Sequence, residues 1–206
     1  MAYLNPDQVY YLALEAIPKV IEKYPVSNRL EFAKVLTGQA FQESCLDKKR
    51  PYACFDTEAK PYANKQRTKV KSTAFGLTQV LEGTQRAIER LMGWPQRPLD
   101  DRSNPVYALA LAAAYMGYFY NGGAKTPRGD WHAALVSYHD GHYSKGGAGQ
   151  TYAKLIKKHV GLFDLDNWGV RVDTDPAVRQ SLIDIGANIT QGGARWLEHL
   201  NRAEFR

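Results

Sequence analysis

Apolar residues recur every three or four positions at the start of the chain, the spacing that places them on one face of a helix. The positions are Val9, Leu12, Ala13, Ala16, Ile17 and Val20. Pro18 lies inside this pattern and should kink or restart the helix, because proline lacks the backbone N–H and clashes with the preceding turn. Asn28 can cap a second helix that should end near Ser44. The plausible core positions of that helix are Leu30, Ala33, Leu36, Ala40 and Phe41.

Four more helices are predicted in the middle of the chain. They span residues 84–92, 105–120, 131–139 and 150–160. Residues that commonly begin or end helices flank them: Asn104, Asp130, Gly93, Gly141 and Gly161. The segment 105–120 is apolar on almost every side, so we expect it to be the buried central helix. Strand signals are weak throughout, and the fold class is therefore predicted to be mainly α.

The stretch from Cys45 to Ser72 has no periodicity and is polar and basic, with two prolines. It predicts a long loop, and a loop of this length inside a compact domain is usually functional or mobile. Cys45 and Cys54 are the only cysteines. They could form a disulfide or stay reduced, and their spacing is not that of a metal-binding pair.

The composition is that of an ordinary folded protein, with 44% hydrophobic and 23% charged residues among 206, which argues against a disordered chain. No apolar run approaches the roughly 20 residues that span a bilayer. The first residues lack a basic segment followed by an apolar one, so we predict no signal peptide. The net charge of +6 favours anionic partners such as nucleic acid, acidic lipid or cell-wall polymer, without choosing among them.

Glu43 is the first candidate for chemistry. It stands at the predicted carboxyl end of a helix, where the helix dipole disfavours a carboxylate, and its apolar neighbours disfavour the charge by desolvation. Both effects should raise the pKa of this carboxyl, as a general acid working at neutral pH requires. From local sequence alone, an exposed surface glutamate is the simpler interpretation.

Two later segments carry further candidate residues. In the segment 72–80, Gly76 permits a tight turn, and Gln79 carries donors and an acceptor suited to sugar hydroxyl and acetamido groups. In the segment 133–141, Tyr138 and His139 stand at a helix end before a glycine, where a tyrosine could pack against a sugar face. Each segment alone is equally compatible with an ordinary turn or helix cap.

Together these segments resemble the soluble lytic transglycosylase family, the lysozyme-like enzymes that cleave peptidoglycan. That family shows a Glu-Ser pair, then Gly-Leu-Met-Gln, then Ala-Tyr-Asn-Ala-Gly and a later helical tyrosine. The matches in chain order are Glu43-Ser44, Gly76-Leu-Thr-Gln79, Tyr115-Met116, Ser137-Tyr-His-Asp-Gly141 and Tyr152. The resemblance covers roughly residues 28–160.

The sequence departs from the family at several points. The spacing from Glu43 to Gly76 is longer than usual, so the loop between them looks like an insertion. Thr78 replaces the usual methionine, and the family's loop serine can be placed only approximately, at Ser72. Nothing after residue 161 matches, although Asp175-Pro176 begins a last amphipathic segment.

The resemblance implies a lysozyme-like helical domain over residues 1–161, carrying the long inserted loop. Residues 162–206 are expected to form a C-terminal helical extension packed on the same domain. Glu43 would act as acid and then base on the MurNAc–GlcNAc bond of peptidoglycan, forming a 1,6-anhydro ring, with no metal and no cofactor. The expected substrate-binding residues are Ser72, Gln79, Tyr138, His139 and Tyr152. We expect a monomer that binds glycan strands.

Several alternatives remain open from sequence alone. A hydrolytic muramidase would need a second carboxylate, for which the candidates are Asp47, Asp56, Glu58 and Asp140. A non-catalytic wall-binding or virion structural protein is a second alternative, and the basic charge also suits a nucleic-acid binder, although no nucleic-acid-binding motif is present. A zinc site built from His132, His139 and His142 is a further, weaker alternative.

The expected place of action is the bacterial cell wall. Because peptidoglycan lies outside the cytoplasmic membrane and we predict no signal peptide, a bacteriophage origin would reconcile the two. The enzyme would then be associated with the virion, with other virion proteins as partners, or be released by a holin-type protein that opens the membrane. We expect no insertion into the membrane.

Overall fold

The computed structural model describes residues 3–45, 55–59 and 72–161, and helices account for most of them. The helices are α1 (Pro6–Ala16), α2 (Pro18–Lys23), α3 (Arg29–Ser44), α4 (Glu82–Met92), α5 (Pro105–Tyr120), α6 (Trp131–Asp140) and α7 (Ala148–Val160). Two 3₁₀ helices, Leu99–Ser103 and Gly123–Lys125, lie between them. The predicted fold class, mainly α, is confirmed. The predicted extension over 162–206 lies outside the described residues.

Side-chain caps fix the helix starts at the predicted places. Asn28 Oδ1 accepts hydrogen bonds from the backbone N–H of Leu30 and Glu31 at 2.9 and 3.1 Å, which satisfies two amides at the start of α3. Pro18 restarts the first helix, because α1 ends at Ala16 and α2 begins at the proline itself. The predicted helix boundaries therefore hold to within about two residues.

The central helix α5 is buried on nearly all sides, as predicted. Of its 16 residues, 14 are buried, and five of those are alanines. Small side chains let neighbouring helices approach closely, and α5 packs against α1, α4 and α6. The domain is thus built around a helix that has almost no solvent-facing side.

Leu30 is an incorrect core prediction, since 50% of its surface is exposed. Helical spacing aligned it with true core positions of α3. However, it lies in the first turn, and the buried stretch of α3 begins only at Phe32. Spacing identifies a face of a helix but not how far along that face the neighbouring helices extend.

A two-stranded antiparallel sheet was not predicted. Strand β1 (Tyr3–Leu4) pairs with β2 (Phe55–Asp56), and Phe55 also bridges to Cys45 at the end of α3. Two residues are too few to show alternation in sequence, so the signal was absent. Cys45 is disulfide-bonded, and the chain's only other cysteine, Cys54, lies outside the described residues. Part of the predicted loop is therefore attached to the helix that carries Glu43.

A buried carboxylate joins α4 to α5. Glu89 is 0% exposed, and its Oε1 accepts hydrogen bonds from the Tyr107 hydroxyl at 2.6 Å and from Gln85 Nε2 at 2.9 Å. The Arg97 backbone N–H and the Arg86 guanidinium donate as well. Burial by itself would raise the pKa of Glu89, yet these donors together hold it below its ordinary value.

The hydrogen bonds to Glu89 predict that the free energy of unfolding depends on pH. Since the folded-state pKa of Glu89 is lowered, its stabilisation is complete above the unfolded-state value of about 4.3 and is lost as the pH falls through the folded-state pKa. Glu89→Gln should lower the unfolding free energy by about 2 kcal/mol at pH 7. Urea titrations between pH 7 and pH 3 should show that the difference in unfolding free energy between wild type and variant narrows on acidification. A difference that stays constant would contradict this role of Glu89.

Candidate active site

Glu43 lies in the last turn of α3, half-buried, directly before Ser44 and Cys45. The helix is maintained to its end because the Ser44 hydroxyl donates to the Ala40 carbonyl at 2.8 Å and the Cys45 amide donates to Phe41. The disulfide at Cys45 then constrains the chain immediately after the helix. The carboxylate is therefore presented from a rigid element.

Tyr152 contacts Glu43 from α7. Its hydroxyl donates a hydrogen bond to Glu43 Oε1 at 2.5 Å. The two helices can meet at this distance because Gly38 has no side chain, and a Cβ there would lie 2.7 Å from the Val160 side chain. A hydrogen bond of 2.8 Å between His159 and Gln42 also joins α3 to α7.

Tyr138 comes from α6 and lies beside Tyr152. Its ring lies parallel to that of Tyr152, with 6.5 Å between centroids, and its hydroxyl donates to the Thr78 carbonyl at 3.2 Å. Burial raises the pKa of both phenols well above the usual value, and the negative charge of Glu43 raises it further. Both tyrosines therefore remain protonated and act as hydrogen-bond donors.

The segment 72–80 forms the turn opposite these helices. Gln79 has a left-handed backbone with φ 49°, and its Nε2 donates to the carbonyls of Ala59 and Gly76 at 2.7 and 2.8 Å. Both amide hydrogens are thus used inside the protein, so of the donors and the acceptor expected from sequence, Gln79 offers a ligand its acceptor oxygen. Thr78, at the position of the family's methionine, is fully buried and donates to the Ala108 carbonyl of α5.

Arg102 holds this turn in place, a role that had no signal in the sequence. Its buried guanidinium donates to the carbonyls of Thr73 and Val80, which lie at opposite ends of the turn, at 2.7 and 2.6 Å. Gly76 passes so close to the Arg102 carbonyl oxygen that an added Cβ would overlap it, and its φ of 77° also favours glycine.

These elements enclose a pocket of about 150 Å³ beside Glu43. Its lining residues are Glu43, Gln79, Val80, Leu81, Thr84, Tyr115, Tyr138 and His139. Four predicted site residues therefore line one pocket, and Tyr152 contacts three of them, Glu43, Tyr138 and His139. Ser72 is not part of this lining, and its hydroxyl instead accepts a hydrogen bond from the Ala74 amide at 3.2 Å. Sequence patterns did not indicate Leu81 or Thr84.

The other candidate carboxylates in the described chain are held elsewhere. Asp140 lies 2.6 Å from His139 Nδ1 and accepts from Ser144, and the hydrogen bond with His139 keeps its pKa below the usual value. Asp56 is buried in β2 and accepts from the Glu58 amide, while the Glu58 side chain is exposed. Among the described residues, Glu43 is the one carboxylate that lines the pocket. The remaining candidate, Asp47, lies outside the described residues.

The three histidines considered for zinc have other contacts. His132 Nε2 lies 2.7 Å from Gln150 Oε1, and His142 Nδ1 lies 3.1 Å from the Asp140 carbonyl oxygen. Over residues 3–45, 55–59 and 72–161, no three side chains of the types that bind metals are grouped together.

Comparison with protein families identifies the family to which the chain belongs. The model described as the Transglycosylase SLT domain matches residues 42–160, so the chain belongs to that family. The match begins one residue before Glu43 and ends with α7. It confirms the resemblance seen in sequence and the lysozyme-like helical fold, and it indicates lytic transglycosylase-type cleavage of peptidoglycan. Comparison with curated proteins gave no match.

None of the helices in the described part of the chain has the length and apolar character needed to cross a bilayer. The bacteriophage origin, the virion partners and the monomeric state stay predictions.

Removing the Tyr152 hydroxyl tests its contact with Glu43. Tyr152→Phe keeps the ring but removes a donor to a carboxylate, so cleavage of purified cell walls should slow on the order of tenfold to hundredfold. Tyr120→Phe is the matched control, because that hydroxyl pairs with Ser27 away from the pocket. Release of soluble fragments measures both rates. If the two variants cleave cell walls at equal rates, the Tyr152 hydroxyl has no role in the reaction.

Proposed function

We propose that this enzyme cleaves the MurNAc–GlcNAc bond without consuming water, with Glu43 acting first as acid and then as base. The observation that supports it most is the number of carboxylates that line the pocket. Within the described residues, one carboxylate lines it, and the surrounding side chains are tyrosines, apolar groups, Gln79, Thr84 and His139. A hydrolase of the usual kind needs two carboxylates facing the scissile bond.

The protons and bonds balance around this single group. Protonated Glu43 gives its proton to the glycosidic oxygen, and the bond from that oxygen to C1 of MurNAc breaks. The C6 hydroxyl oxygen of the same MurNAc bonds to C1, and its proton passes to the Glu43 carboxylate. The products are a 1,6-anhydro end and a free GlcNAc 4-hydroxyl, and Glu43 is again an acid.

Tyr152 supports the charged half of this cycle. Its hydroxyl donates to Glu43 Oε1 at 2.5 Å, so the carboxylate left after the first proton transfer receives a hydrogen bond immediately. Because burial and the charge of Glu43 both raise its pKa, Tyr152 does not lose its proton to Glu43. It stabilises the base form without taking over the proton transfer.

The pocket walls suit a sugar chain. Tyr115, Tyr138 and Leu81 supply flat or apolar surfaces for sugar ring faces, and 47% of Leu81 is exposed. Gln79 supplies an acceptor for a hydroxyl or amide hydrogen, and His139 stands at the rim with 39% of its side chain exposed. Ser72 has no part in this proposal, since it does not line the pocket.

The charge of the chain is consistent with the substrate. A net charge of +6 attracts the protein to the anionic cell wall, a contribution that salt would screen. The same charge suits nucleic acid, but the pocket at Glu43 and the family match favour the glycan. A non-catalytic wall binder would have no need of a glutamate paired with a buried tyrosine.

Replacing Glu43 tests the proposal directly. Glu43→Gln keeps the size and hydrogen-bonding shape of the side chain but cannot transfer a proton, so cell-wall cleavage should fall by at least about 10³-fold. Circular dichroism and the melting temperature should stay close to those of the wild type.

Two carboxylate variants serve as controls. Glu58→Gln changes an exposed acid, and Asp140→Asn changes an acid bonded to His139. Both should keep cleavage within about tenfold of wild type, well short of losing a general base. A Glu43→Gln protein that retains a few per cent of wild-type activity would contradict the proposal, and so would a larger loss in either control.

A further inference from the structure

The segment 55–59 connects the end of α3 to the turn 72–80 on the other side of the pocket. Four of its five residues are buried. Phe55 forms a β-bridge with Cys45, and its ring packs 5.7 Å from a phenylalanine ring of α3. One end of the segment therefore contacts the helix that carries Glu43.

The other end of the segment holds the turn. The Ala59 carbonyl oxygen accepts two hydrogen bonds, from the Gly76 backbone N–H at 2.9 Å and from Gln79 Nε2 at 2.7 Å. Gln79 Nε2 also donates to the Gly76 carbonyl at 2.8 Å. Both carbonyl oxygens only accept, so the amide nitrogen of Gln79 has to face them. The acceptor oxygen is then the atom that Gln79 can offer a ligand in the pocket it lines.

A disulfide ties the segment 55–59 to the end of α3. Cys45 is disulfide-bonded, and the chain's only other cysteine, Cys54, directly precedes Phe55 in the sequence. The Cα atoms of two bridged cysteines lie within about 7 Å of each other. The bond therefore limits how far the segment can move from the helix that presents Glu43.

The direction of the Gln79 amide depends on where the segment 55–59 lies. Arg102 fixes the two ends of the turn through backbone carbonyls, whereas the amide itself is bonded to Ala59 and Gly76. Hydrogen bonds weaken steeply when their atoms lose alignment, so a shift of Ala59 would release one amide hydrogen. A released amide can turn its nitrogen toward the pocket, and Gln79 then offers donors in place of the acceptor.

We propose that the disulfide at Cys45 is a positioning element for glycan binding. By holding the segment 55–59 at the end of α3, it keeps the Ala59 carbonyl where it fixes the Gln79 amide, so that the Gln79 oxygen accepts a hydrogen bond from the glycan. The disulfide touches neither the substrate nor the reacting atoms. Peptidoglycan lies outside the cytoplasmic membrane, in surroundings where disulfides persist. The inference rests on the proposed function for its effect on glycan binding, whereas the hydrogen bonds at Ala59 can be measured without any reaction.

Reducing the disulfide tests this role in the full chain. Tris(2-carboxyethyl)phosphine gives two electrons to the S–S bond, and one water supplies the oxygen of the phosphine oxide and the hydrogens of the two thiols. With soluble glycan fragments as substrate, KM should rise about fivefold, as expected for one weakened hydrogen bond. The rate constant kcat should change less than twofold, because the contact between Tyr152 and Glu43 does not pass through the segment. Removing the phosphine and reoxidising the protein in air should restore KM.

Two variants serve as controls. The double variant Cys45→Ala with Cys54→Ala should have the raised KM both with and without the phosphine. Glu89→Gln removes a buried carboxylate outside the pocket lining, so it should lower the melting temperature and leave KM unchanged. If the disulfide only stabilises the fold, the reduced wild type would behave like Glu89→Gln, and that result would overturn the inference.

A second readout does not depend on activity. Amide hydrogen exchange, followed by NMR in oxidised and reduced protein, reports on the Gly76 N–H and on the side-chain amide of Gln79. Reduction should speed exchange at Gly76 about tenfold or more, because its acceptor at Ala59 is no longer held in place. The amide of Leu111, buried in the middle of α5, should keep its exchange rate.

The exchange experiment also separates this inference from the proposed function. If the wild type cleaves no glycan, the proposed function fails, while the exchange rates still decide what the disulfide holds. Unchanged exchange at Gly76 after reduction would overturn the inference. An equal acceleration at Leu111 would overturn it as well, because the disulfide would then hold the whole fold and not the turn.

Discussion

The hydrogen bond from Tyr152 to Glu43 depends on how closely α3 and α7 approach each other. Gly38 permits that approach, since any side chain there would meet Val160 and the Ile156 carbonyl. The two bonded residues are 109 positions apart in the chain, and nothing local brings them together. The helices therefore have to pack before the acid acquires its environment, and the rest of the site is arranged around that contact.

The remaining parts of the site are held by hydrogen bonds to backbone carbonyls. Arg102 joins the two ends of the turn 72–80, and Gln79 ties that turn to Ala59. Tyr138 and Gln39 both donate to the Thr78 carbonyl. Buried donors of this kind fix the distance between the turn and the helices, because releasing any of them would leave a buried polar group unpaired. A pocket that must orient a sugar for attack by its own hydroxyl benefits from such rigidity.

Local chemistry explains which parts of the fold could be predicted. Asn28, Asp130 and Gly141 act through their own neighbours in sequence, so the helix boundaries were recognisable. The β1–β2 pair and the exposure of Leu30 depend on what lies across the fold, and sequence periodicity carries no information about that. Glu43 and Tyr138 were identified because family motifs mark them. Arg102 and Gln39 act through contacts distant in sequence, and no motif marked either.

In the second proton transfer, Glu43 is proposed to regain its proton from the C6 hydroxyl of the sugar and not from water. This step is tested by digesting purified peptidoglycan in H₂¹⁸O and analysing the new ends by mass spectrometry. An intramolecular attack predicts anhydro-muramic ends that carry no ¹⁸O and are about 20 mass units lighter than ends hydrolysed in H₂¹⁸O. Hydrolysis would instead give reducing ends with one ¹⁸O atom each, and that result would contradict the account of Glu43 as the single acid and base.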